Sequence, residues 1–150
     1  MALPPDPTAN KIMPELEFTL YPVGFVRSPL KHLADAPMQG NEGAPDAWLE
    51  VEPALAEGLD GLAVGDKIIV ITWFHLARRD ILKLHPRDDK TIPLTGVFAT
   101  RSPDRPNPLG LHPVTILEID GHRLKVGPLE AIDGTPIVDI KPVLPQSPIS

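Results

Sequence analysis

The sequence predicts a mainly β fold, an antiparallel barrel or sandwich with one short helix and long loops. Twenty of the 150 residues are proline, against a usual share of about 5%. Prolines spread this widely divide the chain into segments too short for long helices. Six or seven of these segments are rich in β-branched and aromatic residues and are separated by turn residues, which is typical of antiparallel β structure.

The first 16 residues are proline-rich, polar and aperiodic, so we expect a disordered or peripheral arm there. One domain is expected over residues 17–146, followed by a short tail, 147–150. Its first strand is predicted over residues 18–26, with Pro22 restricting it to an edge or a bulge. Residues 27–47 hold three prolines and two glycines, and so long a loop in a compact domain is often functional.

The middle of the chain contains the strongest strand signal, KIIVITWF at residues 67–74, which is apolar on both faces like a central strand. A short strand is predicted before it at 48–51. A short helix is predicted at 53–59, where proline occupies the first turn and Gly58 lies near the end. Residues 78–95 are predicted to be a polar loop.

The last third of the chain predicts four more strands. They cover residues 97–100, 114–119, 124–126 and 137–140. Asp120-Gly121-His122-Arg123 separates the second and third of these and has favourable hairpin-turn chemistry.

Composition excludes several classes of site. There is no cysteine, so disulfide scaffolds, thiolate zinc sites and cysteine nucleophiles are excluded. The five histidines are scattered without metal-binding spacing, and no phosphate-binding glycine loop or GxSxG elbow occurs. No apolar run approaches the roughly 20 residues of a membrane helix, and the N-terminus lacks signal-peptide character. We expect a cytoplasmic protein with no metal and no membrane partner.

Charge is unevenly distributed. The net charge of −6 argues against a general nucleic-acid binder such as a DNA-binding protein, but residues 78–105 hold seven basic residues against four acidic ones. A local basic stripe on an acidic protein can still contact phosphates. The alternative interpretation is a solvated loop of mixed sign.

The most unusual segment is GVFATRSPDRPNPLGL, residues 96–111. Its three loop prolines fix φ and lower the loop's entropy, which pre-organises whatever Arg101 and Arg105 hold. The alternatives are a stiff turn or a PxxP ligand for a partner domain.

This segment, followed by LEIDG and DGTPIVDIKP, resembles the TsaA-like (TrmO/YaeB) family. VGFVRSP, Pro37-Met38-Gln39 and Trp73-Phe74-His75 occur upstream in the family's order and spacing, and the resemblance covers about residues 20–145. It implies a dimeric β-barrel methyltransferase that uses S-adenosylmethionine without a Rossmann fold. Characterised members methylate N6 of threonylcarbamoyladenosine beside the anticodon of threonine tRNA.

The resemblance also implies which residues contact the cofactor. Carried over position by position, they are Pro37, Met38, Gln39, His75, Leu76, Arg101, Leu111, Asp133, Gly134, Thr135 and Pro136. The family often has Pro-Arg-Gln where this chain has Pro37-Met38-Gln39, so one positive charge is missing. Bacterial tRNA-modifying members carry an additional C-terminal domain, whereas this sequence stops near residue 150, so the resemblance leaves the specificity for threonine tRNA open while it still implies cofactor binding.

The chemistry of individual residues leaves alternatives open. Arg101 suits the methionine carboxylate of the cofactor because its planar fork can pair bidentately, but a structural salt bridge is the alternative. Asp133-Gly134 is either a tight turn or a reader of the adenine edge. Trp73 and Phe74 are core aromatics by default, with a cation–π role toward the sulfonium as the alternative.

No catalytic residue is assigned by the sequence. The target N6 is delocalised into a carbonyl group, so a base could help to remove its proton. His75, Asp104 and Asp133 are the candidates, and a purely positional mechanism is the alternative.

Three functions therefore stand at this point. The first is a tRNA methyltransferase acting on threonylcarbamoyladenosine, with tRNA and a second copy of the chain as partners. The second is an S-adenosylmethionine-dependent methyltransferase of another small molecule or RNA. The third is a non-catalytic S-adenosylmethionine-binding regulatory protein or a PxxP-presenting partner.

Overall fold

The computed structural model describes residues 16–38 and 40–145. These residues form two units. The larger unit holds residues 22–38, 40–76 and 109–145, and the smaller one holds residues 16–21 and 77–108. The predicted tail and all but the last residue of the predicted arm lie outside the described residues, so both stay predictions.

The described residues contain eight strands. They are β1 (Gly24–Arg27), β2 (Ala47–Val51), β3 (Lys67–Trp73), β4 (Lys83–Leu84), β5 (Thr95–Gly96), β6 (Leu109–Asp120), β7 (Arg123–Gly127) and β8 (Pro136–Pro142). Short 3₁₀ helices connect them, at Leu33–Asp35, Gly40–Glu42, Pro53–Leu59, Pro86–Asp88 and Val97–Ala99. No helix in this part of the chain is long and apolar enough to cross a bilayer.

Six of these strands close into an antiparallel barrel in the order β1-β2-β7-β6-β3-β8. The barrel class predicted from the sequence is therefore confirmed. β3 lies between β6 and β8 and pairs with both along its length, as its apolar character on both faces predicts. The predicted hairpin is also confirmed, because β6 and β7 pair up to Asp120 and Arg123.

Alternate residues of the strands point into the barrel and fill it with aliphatic side chains. The buried set is Val26, Leu49, Ile68, Val70, Val114, Ile116, Leu124, Val126 and Ile137. Leu129 and Ala131, from the segment after β7, join the same core. At one end of the barrel the inward-facing positions change from aliphatic to polar, with Thr72 on β3 and His112 on β6 both buried.

The first predicted strand is confirmed only in part. Strand β1 begins at Gly24, whereas residues 18–22 form no strand and are exposed. Pro22 has no amide hydrogen for a sheet ladder, which agrees with a start beyond it. The predicted helix at residues 53–59 is confirmed as the 3₁₀ helix Pro53–Leu59, with proline in its first turn.

The predicted strand at residues 97–100 is wrong, because the segment forms the 3₁₀ helix Val97–Ala99. The reason lies in the smaller unit itself. The Arg105 guanidinium donates hydrogen bonds to the carbonyls of Val97 and Thr100, so these oxygens bond to a side chain rather than to a neighbouring strand. The residues just before, in β5, pair with β4 instead, so the predicted polar loop at 78–95 contains a short strand and part of another.

Candidate functional site

One end of the barrel gathers most of the residues that the sequence predicts to bind a cofactor. Strands β1, β3 and β7 end there, and β2, β6 and β8 begin there. Four antiparallel pairs mark this end: Arg27 with Trp48, Ala47 with Val126, Trp73 with Leu109, and Phe25 with Pro136. We call it the site end.

The predicted residues of the larger unit lie at the site end because they follow, precede or begin strands that end or start there. Pro37 and Met38 lie in the connection from β1 to β2, and Gln39 lies outside the described residues. His75 and Leu76 follow the end of β3, and Leu111 is the third residue of β6. The turn 133–136 leads into β8. Arg101 belongs to the smaller unit.

Exposed apolar side chains occur at three of these positions. Met38 is 54% exposed, Leu76 58% and Leu111 45%. Leu111 lies on the outer face of β6, because its neighbours Gly110 and His112 point into the barrel. Apolar surface left open to water at predicted cofactor positions suits an aromatic base or an aliphatic chain, the parts of a ligand that gain from leaving water.

The Asp133 carboxylate ties the turn before β8 to the end of β1. One oxygen accepts a hydrogen bond from the backbone amide of Ser28 at 2.9 Å, and the other lies 3.1 Å from Nζ of Lys31. The hydrogen bond from the Ser28 amide and the Lys31 ammonium hold the pKa of the Asp133 carboxylate below its usual value. An anchored carboxylate of low pKa is a poor general base, so the structure argues against Asp133 among the candidate bases.

The backbone amides of the same turn are already bonded within the protein. Asp133 donates to the carbonyl of Leu30 at 2.7 Å, Gly134 to that of Val26 at 2.7 Å, and Thr135 to that of Ile132 at 3.2 Å. A role for this turn in reading adenine would therefore have to use carbonyl oxygens. The Thr135 side chain is buried and its hydroxyl donates to the Ile132 carbonyl, so the contact predicted between Thr135 and the cofactor stays a prediction.

Arg101 differs from Ser102, Asp104 and Arg105 in having no hydrogen-bond or ion-pair partner among residues 16–38 and 40–145. Its side chain is exposed, and nothing within residues 16–38 and 40–145 forms an ion pair or hydrogen bond with its guanidinium. The described residues therefore do not support the alternative interpretation, in which Arg101 forms a structural salt bridge. A free guanidinium in a proline-stiffened loop is suited to a planar anion such as a carboxylate.

Arg105, four residues later, is a structural arginine. Its Nε donates to the Ser102 carbonyl at 2.8 Å and its Nη2 to the Val97 carbonyl at 2.7 Å. The two arginines of the motif therefore differ in role: Arg105 holds the loop in shape, and Arg101 projects from it.

Several side chains of the basic stripe predicted at residues 78–105 form hydrogen bonds within the smaller unit. Arg78 pairs with both oxygens of Asp80, and Arg79 donates to the Pro106 carbonyl at 2.7 Å. Arg78, Arg79 and Arg105, three of the seven basic residues of the stripe, are therefore bonded within the smaller unit. Lys83 and Lys90 are exposed, and no ion pair to either ammonium occurs among the described residues.

The two remaining candidate bases also differ. The Asp104 carboxylate accepts a hydrogen bond from the Arg78 backbone amide at 2.9 Å, and this contact stabilises the loop. His75 is exposed at the site end. The described residues hold no group of three or more metal-binding side chains.

A buried polar cluster at the site end was missed by the sequence reasoning. His112 lies between Thr72 and Glu130, with its Nε2 2.6 Å from the Thr72 hydroxyl and its Nδ1 3.0 Å from a Glu130 carboxylate oxygen. The Phe74 ring packs edge-on against the imidazole, 5.7 Å between centroids, which supports the core interpretation of Phe74. The alternation in Gly110-Leu111-His112-Pro113-Val114 contained the signal, because it places His112 on the inward face with Val114.

Comparison with known proteins identifies the family of this chain. Residues 25–148 match the family model of the tRNA-methyltransferase O N-terminal domain. A probable S-adenosyl-L-methionine-binding protein of Methanothermobacter thermautotrophicus is 43% identical over 130 residues, which cover 87% of this chain and 93% of the relative. An S-adenosyl-L-methionine-binding protein of Archaeoglobus fulgidus is 42% identical, with 85% and 90% covered.

Two solved structures are also similar. A crystal structure of TrmO matches with a TM-score of 0.71 and 30% identity, over 90% of this chain and 61% of that one. TrmO from Pseudomonas aeruginosa matches with a TM-score of 0.68 and 28% identity, over 87% and 57%. The chain thus spans about three fifths of the length of these two structures.

Proposed function

Because this chain belongs to the tRNA-methyltransferase O N-terminal domain family, we propose that it binds S-adenosylmethionine and methylates N6 of threonylcarbamoyladenosine beside the anticodon of a tRNA. The observation that carries the proposal is the family match over most of the chain. It is supported by relatives of nearly the same length that are named as S-adenosylmethionine-binding proteins.

The side chains at the positions that the resemblance assigns to the cofactor have chemistry suited to it. Bound S-adenosylmethionine supplies an electrophilic methyl group on a positively charged sulfur. Arg101 is the residue for its carboxylate, because the guanidinium has no other partner among the described residues. The apolar side chains of Met38, Leu76 and Leu111 are suited to the adenine and to excluding water.

The acceptor nitrogen has to lose its proton as it is methylated. Of the three candidate bases, Asp104 and Asp133 hold backbone amides, and His75 does not. We therefore assign proton acceptance to His75, with direct loss to water as the alternative.

We also propose that the protein acts as a homodimer. The resemblance implies a dimer, and β6 leaves Leu109, Leu117 and Ile119 exposed, apolar side chains that a second copy could cover. Light scattering at tens of micromolar tests this, and a monomer would contradict it.

A tritium-transfer assay tests the activity. The protein is incubated with methyl-labelled S-adenosylmethionine and bulk tRNA from cells that lack this gene, and the tRNA is digested to nucleosides. Label in the N6-methylated form of threonylcarbamoyladenosine is expected. Label in another nucleoside would leave a methyltransferase but contradict the substrate.

A second candidate function is supported by a separate observation. Three arginines of the basic stripe donate hydrogen bonds within the smaller unit, which leaves fewer guanidinium donors for RNA phosphates. This favours either a methyltransferase of another substrate or a non-catalytic S-adenosylmethionine-binding regulator. Cofactor binding without label in any tRNA would point to these alternatives.

A further inference from the structure

A hydroxyl, an imidazole and a carboxylate lie in a row at the site end of an otherwise aliphatic barrel. Thr72 is fully buried and His112 is 1% exposed. Burying polar groups in an apolar interior is unfavourable unless they are paired. An aliphatic pair of similar size would fill the same space, so the polar cluster is not required for packing alone.

The contacts define a consistent direction of hydrogen bonding. When the Thr72 hydroxyl donates to Nε2 of His112 at 2.6 Å, a neutral ring carries its hydrogen on Nδ1 and presents it to Glu130. The Nδ1–H is not well aligned with the carboxylate oxygen 3.0 Å away. Glu130 therefore retains capacity to accept hydrogen bonds from another group.

The orientation of His112 is set by packing. The Phe74 ring stands at 77° to the imidazole. A Cβ on Gly110, opposite Thr72 in the ladder, would lie 2.6 Å from both the Phe74 ring and the Thr72 hydroxyl. Glycine is thus required for Thr72, Phe74 and His112 to occupy these positions together.

Glu130 is the member of the row that solvent can reach, with a side chain 14% exposed. Gly40 passes close to it: a Cβ there would lie 3.5 Å from the Glu130 carboxylate and 3.2 Å from the Pro128 carbonyl. Gly40 follows the predicted cofactor-binding triplet Pro37-Met38-Gln39. The carboxylate therefore lies beside the connection that the sequence assigns to the cofactor.

We propose that Glu130 is a further cofactor-binding residue of this protein, and that His112 and Thr72 are positioning residues that hold its carboxylate. The carboxylate accepts hydrogen bonds from donor groups of S-adenosylmethionine, either the ribose hydroxyls or the ammonium. This inference rests on the proposed function, since it takes the site end as the cofactor site.

Isothermal titration calorimetry tests the role of Glu130. Glu130→Gln keeps the shape of the side chain and removes its charge, and we expect dissociation constants about 10- to 100-fold higher for both S-adenosylmethionine and S-adenosylhomocysteine. Glu118→Gln, an exposed carboxylate on β6, is the matched control and should leave both unchanged.

The outcomes separate this inference from the proposed function. Wild-type affinity in folded Glu130→Gln overturns the inference alone, whereas a wild-type protein that binds no S-adenosylmethionine overturns the proposed function. A loss for S-adenosylmethionine but not for S-adenosylhomocysteine would overturn the hydrogen-bond assignment, because the two share their donors. Methylthioadenosine, which has the ribose but no ammonium, distinguishes the two donor groups.

The positioning role has its own test. His112→Asn retains a donor near the position of Nδ1 and should restore most of the affinity that His112→Leu loses. In a Glu130→Gln background His112→Leu should cause no further loss, since there is no carboxylate left to position. If His112→Leu lowers the affinity by the same factor in wild type and in the Glu130→Gln background, its role is merely structural. If His112→Leu does not fold, Thr72→Val is tested in the same cycle with the same criterion.

Discussion

Asp133 binds the backbone of Ser28: its carboxylate accepts a hydrogen bond from the Ser28 amide at 2.9 Å. The other carboxylate oxygen lies 3.1 Å from the Lys31 ammonium. The turn before β8 is therefore tied to the start of the connection that leads to Pro37 and Met38. An aspartate predicted to contact the cofactor also holds together two segments of the predicted site.

We expect Asp133→Asn to lower stability by about 1 kcal/mol at pH 7, the usual net value of one hydrogen bond. The pKa of Asp133 is lowered in the folded state by the Ser28 amide and by Lys31. Its stabilisation is therefore fully present above the unfolded value of about 3.9 and is lost as the pH falls through the folded pKa. Urea unfolding of wild type and variant at several pH values measures this.

The stability difference between wild type and Asp133→Asn should shrink as the pH falls below about 4. Asp60→Asn, an exposed aspartate in the larger unit, serves as the control with little change at any pH. A difference for Asp133→Asn that is constant down to the acid limit would contradict the ionic part of this account.

Arg101→Ala should weaken S-adenosylmethionine binding by about 1.5–3 kcal/mol, the value of a hydrogen bond to a charged group. The melting temperature of the free protein should not change, because the guanidinium has no partner among the described residues. Addition of cofactor should raise the melting temperature of wild type more than that of the variant. Unchanged affinity in folded Arg101→Ala would remove this residue from the site.

Arg105→Ala is expected to act in the opposite way. Its guanidinium satisfies the carbonyls of Val97 and Ser102, so its removal should destabilise the loop by about 1–3 kcal/mol. Arg105→Lys should recover only part of this, since an ammonium lacks the planar fork. Hydrogen exchange of the 97–105 amides measures the effect locally, and unchanged protection in Arg105→Ala would contradict a structural role.

His75→Gln should reduce the turnover number by about 100-fold or more if His75 accepts the N6 proton. The S-adenosylmethionine dissociation constant should change much less than the turnover number. Single-turnover methylation and calorimetry on the same preparation give both values. An equal loss in the two would make His75 a binding residue only, and an unchanged turnover number would favour proton loss to water.

The barrel was predictable because short runs of β-branched and apolar residues between turn residues identify strands directly. Residues 67–74 identify β3, and the apolar positions of 114–119 and 124–126 identify parts of β6 and β7. The wrong strand prediction at residues 97–100 has its origin in a side-chain contact. The 97–100 segment has strand-forming residues, but its carbonyls bond to Arg105, a contact that propensity does not contain.

The candidate site was predictable in its exposed parts and not in its buried ones. The odd composition of the 96–111 motif points to Arg101 and Arg105 together, and only the structure shows that Arg105, and not Arg101, bonds to other described residues. His112 is one of five scattered histidines, and only the register of β6 with β3 places it beside Thr72. Its partner Glu130 lies 18 positions along the chain, at no recognisable spacing.

Two exposed lysines of the smaller unit are candidates for RNA contact. Lys83 and Lys90 are exposed basic residues of the smaller unit with no ion-pair partner among the described residues. We expect the double change Lys83→Glu and Lys90→Glu to weaken tRNA binding and to leave S-adenosylmethionine affinity intact. Each lost phosphate contact should reduce the slope of log affinity against log salt by about 0.7, the value for single strands.

Filter binding of tRNA over a range of salt concentrations, with calorimetry for the cofactor, measures both quantities. Charge reversal at Arg78 is the contrasting variant. In the wild-type protein Arg78 pairs with Asp80, and this pair raises the pKa of the Arg78 guanidinium. Because the variant loses the pair, its effect should appear in the stability of the smaller unit. Unchanged tRNA affinity in the double lysine variant would mean that RNA binds elsewhere or that the substrate is not RNA. A parallel fall in both affinities would instead make the lysines structural, because phosphate contacts alone do not alter cofactor binding.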